Sequence, residues 1–291
     1  MTACKRILII HNPTAGGGAA THLAAVKTAL ESRRCEVTLI ATAAPSQLST
    51  LYRDFVASDW DVVAIAGGDG TLMEAINGLA GQSPVLALIA TGTANVVALD
   101  LGLVVGADAL ADVIIAGNTK QLCAGRVNDK LFAFTAGVGF DAAVVARVRP
   151  SVKRWAGKLA FVLAAVETLI AYRYPVYRMT MDNKEYSAAG VIIVNGRCYA
   201  GKHIVSPGND LGNGCLCAVI LHKPGRIAAL SYSLAMLLDR LPSRSDVTFL
   251  QQVRSIEIEA GDEAPVQVDG EIACHLPVRI TADAQRFDIL V

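Results

Sequence analysis

With 291 residues, 53% of them apolar, the chain has room for two domains, each with a core of its own. Acidic and basic residues balance at 26 each, which excludes a global field that recruits nucleic acid; any anion must be met locally. Seven cysteines with no CxxC spacing argue against a disulfide framework and a zinc site, and predict reduced, mostly buried thiols. The opening MTACKRILIIHNP is too short in its apolar core for a signal peptide, and no stretch reaches the roughly 20 apolar residues of a membrane span. A cytoplasmic protein is the expectation.

RILIIHNP (6–13) reads as a strand ended by Asn-Pro, followed by the glycine loop TAGGG (14–18) and a helix to about Ser32. CEVTLIAT (35–42) reads as strand and SQLSTLYRDFVA (46–57) as helix. DVVAIA (61–66) is a continuous apolar strand, TLMEAINGL (71–79) a helix, and PVLALIA (84–90) another buried strand. Apolar strands joined by helices predict a parallel sheet covered on both faces, with ligands at the carboxyl ends of its strands. The loops at 14–18, 67–70 and 91–95 lie at such ends and are expected to converge.

After about residue 120, segments such as LFAFTAGVGF, YSAAGVIIVNG, CLCAVILH and APVQVDGE read as strands with few helices between them. The predicted fold is an α/β N-terminal domain with a parallel sheet, residues 1–125, and a β-rich, mostly antiparallel second domain, 126–279. Cys215 and Cys217, two apart in a strand, are expected on one face. Helices interrupt the second domain at about 153–172 and 226–241. The first carries a stripe of Trp155, Leu159, Val162, Leu163, Val166, Leu169 and Ile170, with Arg147, Arg149, Lys153, Arg154 and Lys158 around its start. It reads as a core helix with solvated ends, as a surface for an anionic membrane, or as a wall for an acyl chain. The second reads as packing.

Several segments carry chemistry. NPTAGGG (12–18) offers backbone N–H groups to a phosphate, or is an ordinary tight turn; it is not a P-loop, since no Gly-Lys-Ser/Thr follows. GGDGT (67–71) sets the Asp69 carboxylate among glycines, where a bound cation would reconcile it with phosphate. In TGTANVVALDLGL (91–103), Thr91, Thr93 and Asn95 supply hydroxyls and an amide at a helix start, as caps, ligands or both. VQVDGEIA (266–273) puts Asp269 and Glu271 about Gly270, either decorating a turn or, in an extended strand, facing one site. A carboxylate beside a substrate hydroxyl can accept its proton.

In this order NPTAGGG, GGDGT, GTAN, AGVGFDA and VDGE resemble the diacylglycerol kinase catalytic-domain family, above all its soluble bacterial lipid kinases, with sphingosine and ceramide kinases as relatives. The resemblance covers nearly the whole chain. It implies a NAD kinase/diacylglycerol kinase-like first domain that binds ATP, joined by the returning segment 280–291, and a second domain that helps form the lipid site. It assigns Gly67, Gly68, Asp69, Gly70 and Thr71 to the nucleotide phosphates and Mg2+, with Asn12, Thr42, Thr93 and Asn95 as further nucleotide contacts. Glu271 takes the place of the general base and Asp269 supports it. A second-domain magnesium site would fall on Asp210, Asn213 and Cys215. Three positions depart from acidic residues of the family, Val96, Cys123 and Asn213, which leaves Asp69 as the main metal ligand.

The implied activity is an ATP- and Mg2+-dependent lipid kinase of phospholipid biosynthesis. Its acceptor would be the primary hydroxyl of diacylglycerol or a ceramide- or sphingoid-type lipid. The alternatives are a NAD kinase-like phosphotransferase and a non-catalytic nucleotide- or lipid-binding regulator. The expected partner is a lipid presented at a membrane, met peripherally through 147–172 on the cytoplasmic face, with no nucleic acid and no indication of oligomeric state.

Overall fold

A computed structural model describes residues 5–12, 18–42, 59–79, 81–92, 95–149, 159–199, 203–259 and 263–291. The chain divides into two compact units, Met1–Cys123 with Ala284–Val291, and Ala124–Asp283. The first holds four parallel strands, β1 (Arg6–His11), β2 (Glu36–Ala41), β3 (Val62–Gly67) and β4 (Val85–Ala90), in the order β2-β1-β3-β4. β3 is buried along its whole length between β1 and β4, which is why its sequence does not alternate. Helices α1 (Ala19–Ser32), α2 (Asp69–Gly78), α3 (Val96–Leu101) and α4 (Ala107–Ala116) also belong to this unit. Leu23, Val26 and Leu30 of α1 and Leu110, Ala111 and Ile114 of α4 share one core with Ile7 and Ile9. The helix expected at 46–57 lies outside the described residues.

β1 has β2 on one side and β3 on the other, so the chain reverses its direction of winding between them. In open α/β sheets the crevice outside the carboxyl ends at such a switch point is where ligands bind. His11, Asn12 and the residues after Gly67 stand at that edge.

In the second unit the strands β7 (Thr135–Val138), β10 (Gly190–Val194), β13 (Leu216–Leu221), β14 (Val247–Val253), β16 (Pro265–Val268) and β17 (Glu271–His275) form an antiparallel sheet in the order β14-β13-β10-β7-β16-β17. Outside this sheet are β5 (Thr119–Val127), which begins in the first unit and whose last residues pair with β6 (Lys130–Phe132), and the short pair β11 (Cys198–Tyr199) and β12 (His203–Ile204). β8 (Tyr177–Met181), β9 (Lys184–Ala188) and β15 (Ser255–Ile258) run beside the start of β18 (Val278–Leu290). The end of β18 belongs to the first unit, where Asp288 and Ile289 pair in parallel with Val85 and Leu86.

Three described helices serve the second unit: α5 (Phe140–Arg147), α6 (Leu159–Ala171) and α7 (Arg226–Leu237). α5 begins at Phe140, the last residue of LFAFTAGVGF, and is not expected from the sequence. α6 corrects the core-helix reading. It buries the small residues Ala160, Ala164 and Thr168, while Leu159, Val162, Leu163, Val166 and Ile170 stay 56–65% exposed. α7, expected only to pack, inserts Ala229, Tyr232 and Ala235 into the core and leaves Ile227, Leu230, Leu234 and Leu237 outside. The Arg226 guanidinium donates to the Ile170 carbonyl (2.9 Å), linking the two helices. Trp155, Lys153, Arg154 and Lys158 lie outside the described residues, among which no helix is long and apolar enough to cross a membrane.

Candidate active site

At the carboxyl edge of the first unit the strand ends are stitched together by backbone. Asn12 N–H donates to Ala66 O (3.4 Å), Thr42 N–H to His11 O (3.0 Å) and Thr91 N–H to Gly67 O (3.0 Å). Gly68 and Gly92 touch through their backbones. A Cβ on Gly92 would lie 2.5 Å from Gly68 Cα and 2.7 Å from Asn95 Oδ1, so no side chain fits between the two loops. Asn95 closes its own loop, donating from Nδ2 to Gly92 O (2.8 Å) and accepting Gly92 N–H at Oδ1 (3.0 Å), in a left-handed conformation that asparagine tolerates. Thr93 and residues 13–17 lie outside the described residues, so the contribution of the TAGGG loop is not part of this geometry.

Asp69 opens α2, where a negative side chain suits the positive end of the helix, and Gly70 and Thr71 follow in the first turn. Its Oδ1 accepts the N–H of Val96 (2.8 Å), the first residue of α3. Burial pushes the carboxyl above its ordinary range, and the N–H groups of Val96, Val97 and Asn95 pull it back toward ionisation. Gly67, Gly68, Asp69, Asn95, Val97 and Ala98 are among the residues that line a concavity of about 260 Å³, counting its open mouth. Thr42, assigned to the nucleotide by resemblance, is buried, with its hydroxyl 3.4 Å from His11 O.

In the second unit Asp269 and Gly270 have positive φ (49° and 83°) and form the two-residue turn of the β16–β17 hairpin, in which Val268 faces Glu271. They are not extended strand, so the premise that Asp269 and Glu271 point the same way does not hold. Asp269 is turned onto the backbone and accepts the N–H groups of Ala133 (3.1 Å), Phe134 (3.0 Å) and Thr135 (2.8 Å). Glu271 is exposed, and among the described residues its carboxylate takes no hydrogen bond and no ion pair.

The proposed second-domain metal ligands are occupied by turn closure. Asp210 Oδ1 accepts Gly212 N–H (2.7 Å), and Asn213 Oδ1 accepts Cys215 N–H (2.9 Å) while its Nδ2 donates to Asn209 (2.8 Å). Among the described residues no group of three or more His, Cys, Asp or Glu is placed to hold a metal ion. Cys217 is buried in β13, whereas Cys215 lies before the strand and is half-buried, so they do not share a strand face.

Residues missed by the sequence reading sit below the hairpin. Asp141, in the first turn of α5, lines a cavity with Val138, Phe140, Tyr172, Tyr232 and Met236, about 510 Å³ with its mouth included. None of the exposed α6 stripe lines it. Asp141 Oδ2 accepts the Tyr199 hydroxyl (3.2 Å) and Gln267 Nε2 (3.3 Å). Burial raises its carboxyl to about 6 against those stabilising bonds. AGVGFDA and VQVDGE contain both residues, but nothing in either motif marks the two side chains as partners.

Residues 6–127 match the family described as diacylglycerol kinase catalytic domain, and residues 135–291 match the YegS C-terminal NAD kinase beta sandwich-like domain. The second match runs to the C terminus, past the point where strand pairing returns the chain to the first unit. A diacylglycerol kinase of Mycobacterium tuberculosis (strain CDC 1551 / Oshkosh) is 27% identical over 296 residues, spanning 98% of this chain and 94% of the relative. One of Bacillus subtilis (strain 168) is 27% identical over 280 residues, 94% and 92% of the two chains. The crystal structure of a diacylglycerol kinase from Bacillus anthracis str. Sterne matches with a TM-score of 0.77 at 26% identity, covering 100% of this chain and 98% of the other. With one family match over most of the first unit and the other over more than half of its length, the chain belongs to the diacylglycerol kinase family.

Proposed function

We propose that the protein is an ATP- and Mg2+-dependent lipid kinase acting on the primary hydroxyl of a lipid alcohol, diacylglycerol first and ceramide- or sphingoid-type lipids next. The observation that carries this reading is the direct contact of Gly68 with Gly92 at the carboxyl ends of β3 and β4, next to the switch point and beside the carboxylate of Asp69. Bare backbone in such a crevice suits a phosphate chain. Mg2+ needs only one or two protein carboxylates, taking its other oxygens from water and phosphate. Asp69 fits that demand and would hold the ion, which supplies charge neutralisation on the transferring group. Glu271, exposed and unengaged, is suited to accept the hydroxyl proton; Asp269 acts by fixing its turn.

The acceptor would be met on an anionic bilayer through the outer faces of α6 and α7. Along both helices the only charged side chains are Glu167 and Arg226, and exposed Arg173, Asp239 and Arg240 lie just past their ends, so the cations outnumber the anions. An apolar face with a cationic margin complements an anionic lipid surface. Labelled ATP offered with diacylglycerol, ceramide, sphingosine and NAD, with the products identified by mass, tests the activity. Phosphorylated lipid is expected; phosphorylated NAD would establish the rival kinase, and binding without transfer to any acceptor the regulator. In the same assay Glu271→Gln is expected to lower turnover by about 100-fold or more.

A further inference from the structure

The hairpin that carries Glu271 is tied from two sides. On one side Asp269 binds the backbone of Ala133–Thr135. On the other, Gly270 N–H donates to Gln267 Oε1 (3.1 Å), and Gln267 Nε2 donates onward to Asp141 Oδ2. Gln267 is 1% exposed, so both ends of its amide must find partners inside the protein. The ionised carboxylate only accepts, and Gly270 N–H only donates; one orientation of the amide satisfies both. Asp141, steadied by the Tyr199 hydroxyl, therefore decides which end of Gln267 meets the turn. Space for this contact is reserved at Gly137, opposite Gln267 in the sheet, where a Cβ would fall on Asp141 Oδ2 and Gln267 Nε2.

We propose that Gln267, oriented by Asp141 and Tyr199, is a positioning residue for Glu271: through Gly270 N–H it fixes the turn from which that carboxylate projects. This rests on Glu271 being the proton acceptor of the reaction proposed above. Misplacing a reacting group by about 1 Å can cost about 100-fold in rate, so a single buried hydrogen bond can matter at this distance from the chemistry.

The test is a double-mutant cycle with ATP and diacylglycerol in mixed micelles. Gln267→Leu, similar in volume and unable to make either bond, is expected to lower kcat by about tenfold or more with KM for ATP unchanged. In a Glu271→Gln background it should change the rate by less than about twofold, because its effect passes through Glu271. Asp141→Asn, which keeps an acceptor for Gln267, should retain turnover where Asp141→Ala does not. The Gly270 amide should exchange hydrogen faster in Gln267→Leu than in the wild type. Tyr199→Phe, a milder cut in the same chain, should show the same pattern more weakly and takes its place should Gln267→Leu not fold. Equal fold-losses in both Glu271 backgrounds, or an unaltered Gly270 amide, would overturn the proposal. A wild-type chain that phosphorylates no lipid instead removes the functional reading, and the exchange measurement alone then decides whether Gln267 holds the turn.

Discussion

Asp69 has two duties, and they separate by substitution. Its carboxylate holds Val96 N–H at the start of α3, a cap-like bond whose loss costs about 1 kcal/mol. Asp69→Asn keeps an acceptor for that bond, so it should melt close to the wild type while losing Mg2+-dependent turnover. Asp69→Ala should lose both, with the melting temperature a few degrees lower; equal melting of the two variants would show the bond to be unimportant. Asp141 adds a pH dependence. Its folded value, about 6 against an ordinary 3.8, favours the neutral form, so the linked stability is full below the unfolded value and lost as pH rises through about 6. The shift is worth at most about 3 kcal/mol, less what solvent at the half-buried carboxyl screens. In urea titrations Asp141→Asn should therefore gain on the wild type between about pH 4 and 7; a constant difference would contradict burial as the cause. What the sequence could not show at this scale is which lone pairs the backbone has already claimed. Asp69, Asp269, Asn213 and Thr42 all read as available donors or acceptors, and all four engage backbone groups in the fold.

Three of the parallel strands of the first unit, β1, β3 and β4, were legible because they are continuous apolar runs, the pattern of double-sided burial; β2, at the end of the strand order, has no buried residue. The meeting of the loops after β3 and β4, seen at Gly68 and Gly92, followed from strand direction alone; the loop at 14–18 lies, but for Gly18, outside the described residues. α5 escaped because it is short and starts in a glycine-rich stretch at the end of a strand. The orientation of α6 escaped for a different reason. Periodicity finds the stripe of large apolar residues but does not say which way it faces, and here Ala160, Ala164 and Thr168 make the packing surface instead. Two kinds of variant separate these faces. Ala164→Leu should overpack the inner face at a cost of about 1–3 kcal/mol. The combination Leu163→Ser and Leu234→Ser, on the outer faces, should leave stability within about 1 kcal/mol. It should nonetheless reduce flotation with phosphatidylglycerol vesicles, which the wild type should prefer over phosphatidylcholine vesicles. Unchanged flotation, or a wild-type dimer that buries these faces by light scattering, would rule out the bilayer as their partner.

At the scale of the whole molecule, the segment farthest along the chain completes the unit that forms first in sequence. Ala284–Val291 sits beside β4, with Phe287 and Ile289 fully buried and Leu290 in the same core as Ile7 and Val26. Its polar groups are committed too: Gln285 reaches Gly81 N–H and the carbonyls of Leu79 and Gln82, Arg286 reaches Gln121, and Val291 N–H reaches Asn118 O. Local pattern shows that ITADAQRFDILV is a strand, but the choice of β4 as its neighbour is a long-range pairing that no local pattern carries. Burying three such side chains stabilises by about 1.5–3 kcal/mol each. Together this is comparable to the whole stability of a domain, about 5–15 kcal/mol. A chain ending at Asp283 also leaves the edge of β4 unpaired, an invitation to aggregate. Such a chain should therefore lose hydrogen-exchange protection in β3 and β4 and lose ATP binding, while β10 and β13, whose partners all lie in the second unit, stay protected. Protection retained in β3 and β4 would mean that the four parallel strands and their helices hold the first unit alone. Loss of protection in β10 and β13 as well would mean that the two units unfold as one.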